Sequence, residues 1–129
     1  MAKLFLAEDD PLMSRMYERA LRLGGHEVEL AHDGEAALTQ LKAATPKPDL
    51  IVLDIMMPKM SGFDVLKNIK EDQALKNIPV VLLTNLAGKD DAQKGTDMGA
   101  ALYMVKSDYN PKQVVEQLEG VLGKAGPKP

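Results

Sequence analysis

Four apolar runs in this chain each end in a residue able to do chemistry. Leu50-Ile51-Val52-Leu53 runs into Asp54. Lys3-Leu4-Phe5-Leu6-Ala7 runs into Glu8-Asp9-Asp10, Val80-Val81-Leu82-Leu83 into Thr84, and Leu102-Tyr103-Met104-Val105 into Lys106. Short, continuous apolar runs read as strands buried on both faces, as in a parallel sheet. Open α/β sheets bind their ligands at the carboxyl ends of such strands. If the four runs are parallel neighbours, an acidic pair, a lone carboxylate, a hydroxyl and an ammonium meet at one sheet edge. Glu8, Asp9 and Asp54 then repel one another, and they stay ionised together only around a cation. Lys106 supplies a single charge. A hard divalent ion is the natural complement, and Mg²⁺ fits because it needs few protein ligands and keeps its waters. The backbone carbonyl of Met56, just past Asp54, is a further candidate ligand.

This set suits phosphoryl chemistry at a carboxylate. Asp54 attacks phosphorus, the metal and Lys106 offset charge on the equatorial oxygens, and Thr84 donates a hydrogen bond to the transferred group. Met56 lies two residues beyond the nucleophile and carries no acid. Ester hydrolases of the Asp-x-Asp type need a general acid there to protonate an alkoxide leaving group. The residues therefore favour a protein that takes a phosphoryl group from a good leaving group, such as phosphohistidine or an acyl phosphate, and holds it.

The intervening segments must be the helices that position these strand ends. Met13, Met16, Tyr17, Ala20 and Leu21 share one helical face, with Pro11 in the first turn and Gly24-Gly25 at the end. Glu27-Val28-Glu29-Leu30 alternates charged and apolar residues, the pattern of a half-exposed strand near a sheet edge. Asp33 caps a second helix with Ala37, Leu38 and Leu41 inward. Ser61 and Asp64 form a capping pair for a third, with Phe63, Leu66 and Ile69 inward. Lys89 to Asp97 is the weakest helical segment, poor in large apolar residues. The last helix carries Val114, Leu118, Val121 and Leu122 on one face. Residues 1–123 read as one domain and 124–129 as a short flexible tail. The order (βα)₅ with right-handed crossovers predicts an α/β fold. It is a doubly wound, five-stranded parallel sheet of strand order 2-1-3-4-5, the flavodoxin-like arrangement.

Composition narrows the remaining classes. The chain has 129 residues, no cysteine, and a formal charge of -3. That excludes thiolate metal sites and disulfides, and the charge has the wrong sign for a dedicated nucleic-acid binder. No apolar stretch reaches the ~20 residues of a membrane span, and a cytoplasmic address is the default expectation. His26 and His32 read as solvent-side residues flanking the second strand.

The chain resembles the receiver domains of two-component response regulators. The resemblance runs from Lys3 to about Leu122. It rests on Leu6-Ala7-Glu8-Asp9-Asp10-Pro11, on Asp33-Gly34-Glu35-Ala36-Ala37-Leu38, on Leu83-Thr84 and on Tyr103-Met104-Val105-Lys106. Above all it rests on Pro48-Asp49-Leu50-Ile51-Val52-Leu53-Asp54-Ile55-Met56-Met57-Pro58-Lys59-Met60-Ser61-Gly62. It implies that Asp54 is the phosphoacceptor, that Glu8 and Asp9 are the acidic pair with Asp9 the direct metal ligand, and that Thr84 and Tyr103 are a switch pair. Two positions depart from the family pattern. Ser107 follows Lys106 where proline in a cis peptide is usual. A cis bond without proline costs about 2.5–4 kcal/mol, so a trans bond is expected. Asn85 follows Thr84 where a small residue is usual.

The reading is a stand-alone phosphoacceptor switch that promotes its own phosphorylation and dephosphorylation and is otherwise not an enzyme. Its expected partners are a sensor histidine kinase or histidine phosphotransfer protein and a downstream target protein. It is expected to be a monomer or a phosphorylation-dependent dimer. The alternatives are a small Mg²⁺-dependent phosphatase, against which Met56 argues, and a degenerate receiver acting as a constitutive interaction module. The complete set of Glu8, Asp9, Asp54, Thr84 and Lys106 argues against the latter.

Overall fold

A computed structural model describes residues 2–124. Strands and helices alternate without exception: β1 (Lys3–Ala7), α1 (Pro11–Leu23), β2 (Glu27–Ala31), α2 (Gly34–Ala43), β3 (Leu50–Leu53), α3 (Gly62–Glu71), β4 (Val80–Thr84), α4 (Lys89–Asp97), β5 (Leu102–Val105) and α5 (Pro111–Lys124). The five strands form one parallel sheet in the order β2-β1-β3-β4-β5. This is the expected doubly wound topology, with the alternating strand β2 at an edge. The registers Ala7↔Leu53 and Leu53↔Leu82 bring the ends of β1, β3 and β4 level. The residues that follow those ends therefore emerge side by side.

Strand alternation divides the core into two layers. Phe5, Ile51, Leu53 and Leu82 face α2 and α3, where Ala37, Leu41, Val65, Leu66 and Ile69 meet them. Leu4, Leu6, Val52, Val81 and Met104 face α1 and α5, where Tyr17, Leu21, Val114 and Leu118 meet them. Both faces of β1, β3 and β4 are covered, which is why these runs show no polar alternation.

The helix starts follow local chemistry. The Asp10 carboxylate accepts from the N–H groups of Leu12 at 2.9 Å and Met13 at 3.3 Å, and Asp33 accepts from Ala36 at 2.7 Å. Ser61 Oγ caps α3, accepting from the Asp64 N–H at 3.2 Å and donating to the Asp64 carboxylate at 3.2 Å. By contrast, α4 has no side-chain cap and buries only Gly95, in keeping with its weak sequence signal.

Two points differ from the expectation. Val65 joins Leu66 and Ile69 on the inner face of α3, while Phe63 packs half-buried against the same core with the Lys94 ammonium 4.3 Å from its ring centre. Val65 and Ile69 are one turn apart, and that spacing sets the face. His26 is not on the solvent side. The chain reverses at Gly24-Gly25 and carries the imidazole between β1 and α5. There Nδ1 accepts from the Ala2 N–H at 3.2 Å and Nε2 meets Glu119 at 2.9 Å. Helix α5 runs through Gly123 to Lys124, the first residue of the expected tail. Its remaining residues, 125–129, lie outside the described residues. No described helix is long and apolar enough to cross a membrane.

Candidate functional site

The residues singled out in the sequence sit where strand ends converge. Glu8 follows β1 and donates its N–H to the Ala31 carbonyl of neighbouring β2 at 3.0 Å. Asp54 follows β3 and donates its N–H to the Ala7 carbonyl at 3.0 Å. Thr84 closes β4, and Lys106 opens a single 3-10 turn directly after β5. Sheet pairing thus ties the main chain of Glu8, Asp54 and Thr84 to a neighbouring strand, and Lys106 follows directly on Val105, the partner of Thr84. This geometry is the elementary reason why side chains remote in sequence meet.

Lys106 is at the centre. Its ammonium is buried and forms ion pairs with Asp54 Oδ2 at 2.8 Å and with Glu8 Oε1. The other oxygens are also held. Glu8 Oε2 accepts from the Asp10 N–H at 3.1 Å, and Asp54 Oδ1 accepts from the Met56 N–H at 3.2 Å. Burial pushes the Glu8 carboxyl above its ordinary range, although Lys106 and the Asp10 N–H pull the other way. Burial alone would lower the Lys106 ammonium. The hydrogen bonds and charges of Asp54 and Glu8 outweigh it and raise the ammonium instead.

Asp9 stands more open to solvent, and one ligand oxygen each from Glu8, Asp9 and Asp54 falls within a single 4.8 Å group. That donor set is all oxygen, carries three formal negative charges and faces one cationic side chain. It fits a hard divalent cation such as Mg²⁺. The Met56 side chain is 60% exposed at the rim and brings no acid to the site.

Thr84 is fully buried, and its Oγ1 accepts from the Leu86 N–H at 3.3 Å. Tyr103 is only half-buried, and its hydroxyl donates to the Leu86 carbonyl at 2.7 Å. The expected switch pair is thus joined through the backbone of Leu86, between β4 and α4. Nothing in the sequence marks Leu86 as the shared partner, because main-chain groups leave no compositional trace. The Lys106–Ser107 bond is trans, since the only cis peptide among the described residues is Thr45–Pro46. Asn85 is exposed beside the site. His32 touches the Glu8 carbonyl at 3.2 Å but is otherwise exposed.

A doubly wound α/β domain with a carboxylate trio and a buried lysine at the carboxyl edge of its sheet defines the class of protein. The family is the response regulator receiver domain, to which this chain belongs: the family model matches residues 4–119. Among curated relatives, the response regulator PleD of Caulobacter vibrioides is 39% identical over 105 residues, 81% of this chain and 23% of PleD. The chain spans between 15% and 48% of the length of the first relatives it matches. Among solved structures, the chemotaxis protein CheY4 of Vibrio cholerae is 32% identical with a TM-score of 0.85, covering 94% of this chain and 98% of that one. The phosphorylated cyanobacterial phytochrome response regulator RcpA is 36% identical with a TM-score of 0.81, covering 93% and 90%.

Proposed function

We propose that this chain is a phosphoacceptor switch in which Asp54 takes a phosphoryl group from a histidine phosphodonor. The donor is a sensor histidine kinase or a histidine phosphotransfer protein, and the switched conformation acts on a downstream protein. The observation that carries the reading is the Lys106 ammonium, buried between Glu8 and Asp54 with Asp9 alongside.

An Asp54 carboxylate oxygen bonds to phosphorus as the phosphorus–nitrogen bond of the donor breaks. The electron pair of that bond leaves with the imidazole, so no acid from this chain is required. Asp54 is presented by the end of β3, and its Oδ1 is steadied by the Met56 N–H. Lys106 already holds Oδ2 and keeps a positive charge where the phosphoryl oxygens arrive. Asp9 and Asp54, with the Met56 carbonyl, would hold the Mg²⁺, and Glu8, committed to Lys106, would reach it through water. Bound Mg²⁺ supplies Lewis-acid charge neutralisation. Thr84 gives up its Leu86 contact and donates to the new phosphoryl group. A solved relative in phosphorylated form, RcpA, supports the same chemistry here.

The test uses acetyl phosphate or phosphoramidate with Mg²⁺. Mass spectrometry should show one added phosphate on the wild type and none on Asp54→Asn. Equal labelling of the variant would remove Asp54 from its role.

A further inference from the structure

The turn that follows Asp54 is held from the side by a helix that takes no part in the chemistry. Gly34, the first residue of α2, lies against Met60. A methyl group at position 34 would stand 1.9 Å from the Met60 carbonyl oxygen and 2.8 Å from its Cβ. The Gly34 N–H also meets the Pro58 carbonyl at 3.4 Å. Beside it, the Lys59 ammonium pairs with Asp33 at 3.8 Å, and Lys59 holds a left-handed φ of 70°. The turn then reaches back to the nucleophile. The Gly62 N–H donates to the Ile55 carbonyl at 2.9 Å, and a methyl group on Gly62 would stand 2.2 Å from the Asp54 carbonyl oxygen.

We propose that Gly34 is a positioning residue for phosphoryl transfer. By letting α2 touch the main chain of Met60, it fixes the turn that sets the placement of Asp54 and of the Met56 carbonyl. The inference deepens the phosphoacceptor reading and rests on it. The closest contact is with a main-chain oxygen, so no rotamer change relieves an added Cβ. Helix or turn must shift by about 1 Å, a displacement that costs up to ~100-fold when it reaches reacting groups. The helix is the better anchored of the two. Ala37, Leu38 and Leu41 are buried, and Lys47 bonds the carbonyls of Leu41 and Lys42 at 2.9 and 2.8 Å. The turn exposes Met56, Pro58 and Lys59, so it yields.

The experiment measures labelling by phosphoramidate and Mg²⁺, well below each variant's melting midpoint, together with amide exchange. Gly34→Ala should label roughly 10- to 100-fold more slowly than wild type and exchange faster at Met57 and Met60. Leu38→Ala, which weakens the packing of α2 without adding an atom at the turn, should label within about twofold of wild type. Lys59→Val strains the left-handed position and dislodges the same turn without adding an atom to α2. It should label roughly tenfold more slowly with exchange in α2 unchanged beyond its first turn, and it decides the matter where Gly34→Ala does not fold. A wild-type rate in Gly34→Ala or in Lys59→Val overturns the proposal, as does equal slowing in Leu38→Ala. Wild-type protein that takes no label overturns the phosphoacceptor reading itself, and the positioning role with it.

Discussion

The Lys106 ammonium sits between two buried carboxylates, and its removal leaves both without a counter-ion. Breaking a buried pair from one side costs about 3–5 kcal/mol. Lys106→Met should lose roughly 3 kcal/mol at neutral pH by that rule, and the loss should depend on pH. Burial raises the Glu8 carboxyl above its unfolded value. Its contribution to stability is therefore fully present below that value and is lost as pH rises through the folded pKa. Lys106 is also raised, so its own contribution is constant until the pH passes the ordinary lysine range. Without Lys106 only the Asp10 N–H still holds Glu8 down, and the variant recovers stability as Glu8 takes up a proton. Urea midpoints at about pH 5 and about pH 8 should show the smaller gap between wild type and Lys106→Met at the lower pH. An equal gap at both would refute this account. A second residue-scale prediction concerns phosphoryl lifetime. Met56, exposed at the rim, and half-buried Leu86 carry no group able to orient an attacking water, so the phosphoryl group should be long-lived. Phosphate loss from the double variant Met56→Asn, Leu86→Glu should be several-fold faster than from wild type. A slower or unchanged rate would count against shielding.

Among the elements, α4 is the one least able to resist a new charge. It has no side-chain cap, buries only Gly95, and presses that glycine against Leu82 and Tyr103. Its approach from β4 is pinned at Leu86, whose N–H bonds Thr84 and whose carbonyl accepts from Tyr103. A phosphoryl group adds about -1.5 to -2 charges at neutral pH. Recruiting Thr84 to it releases the Leu86 N–H and loosens that pin. Amide exchange should therefore change most between Asn85 and Tyr103 on phosphorylation or with a beryllofluoride mimic, and little in α2. Thr84→Ala should still accept phosphate but transmit a much smaller change. Exchange altered mainly from Glu27 to Leu41 would place the responsive surface elsewhere. The weak propensity and sparse apolar content of Lys89 to Asp97 made this element legible as the labile one. The pin itself was not legible, since two of its four atoms belong to the backbone of one leucine.

On the scale of the whole molecule, a cation held by the acidic group would couple its binding to global stability. Three carboxylates face one ammonium, so a divalent ion that binds only the folded state stabilises it by mass action. At a hundredfold excess over Kd, Mg²⁺ should add about 2.7 kcal/mol to the unfolding free energy, read as a rise in thermal midpoint. Asp9→Ala should lose most of that rise, and Glu8→Ala less. A full Mg²⁺ shift in Asp9→Ala would show that the ion sits elsewhere. The sequence by itself determined the alternation of strands and helices, the edge position of β2, and the strand-end placement of Glu8, Asp9, Asp54, Thr84 and Lys106. These are properties of local periodicity and of which faces each run must bury, and they need no knowledge of distant contacts. Only the tertiary structure decided that Lys106 bridges Glu8 and Asp54, that Thr84 and Tyr103 meet through Leu86, that His26 is tucked against α5, and that Gly34 touches Met60. Each of these joins groups distant in the chain, or depends on main-chain atoms that every residue possesses, and packing alone fixes which of them come into contact.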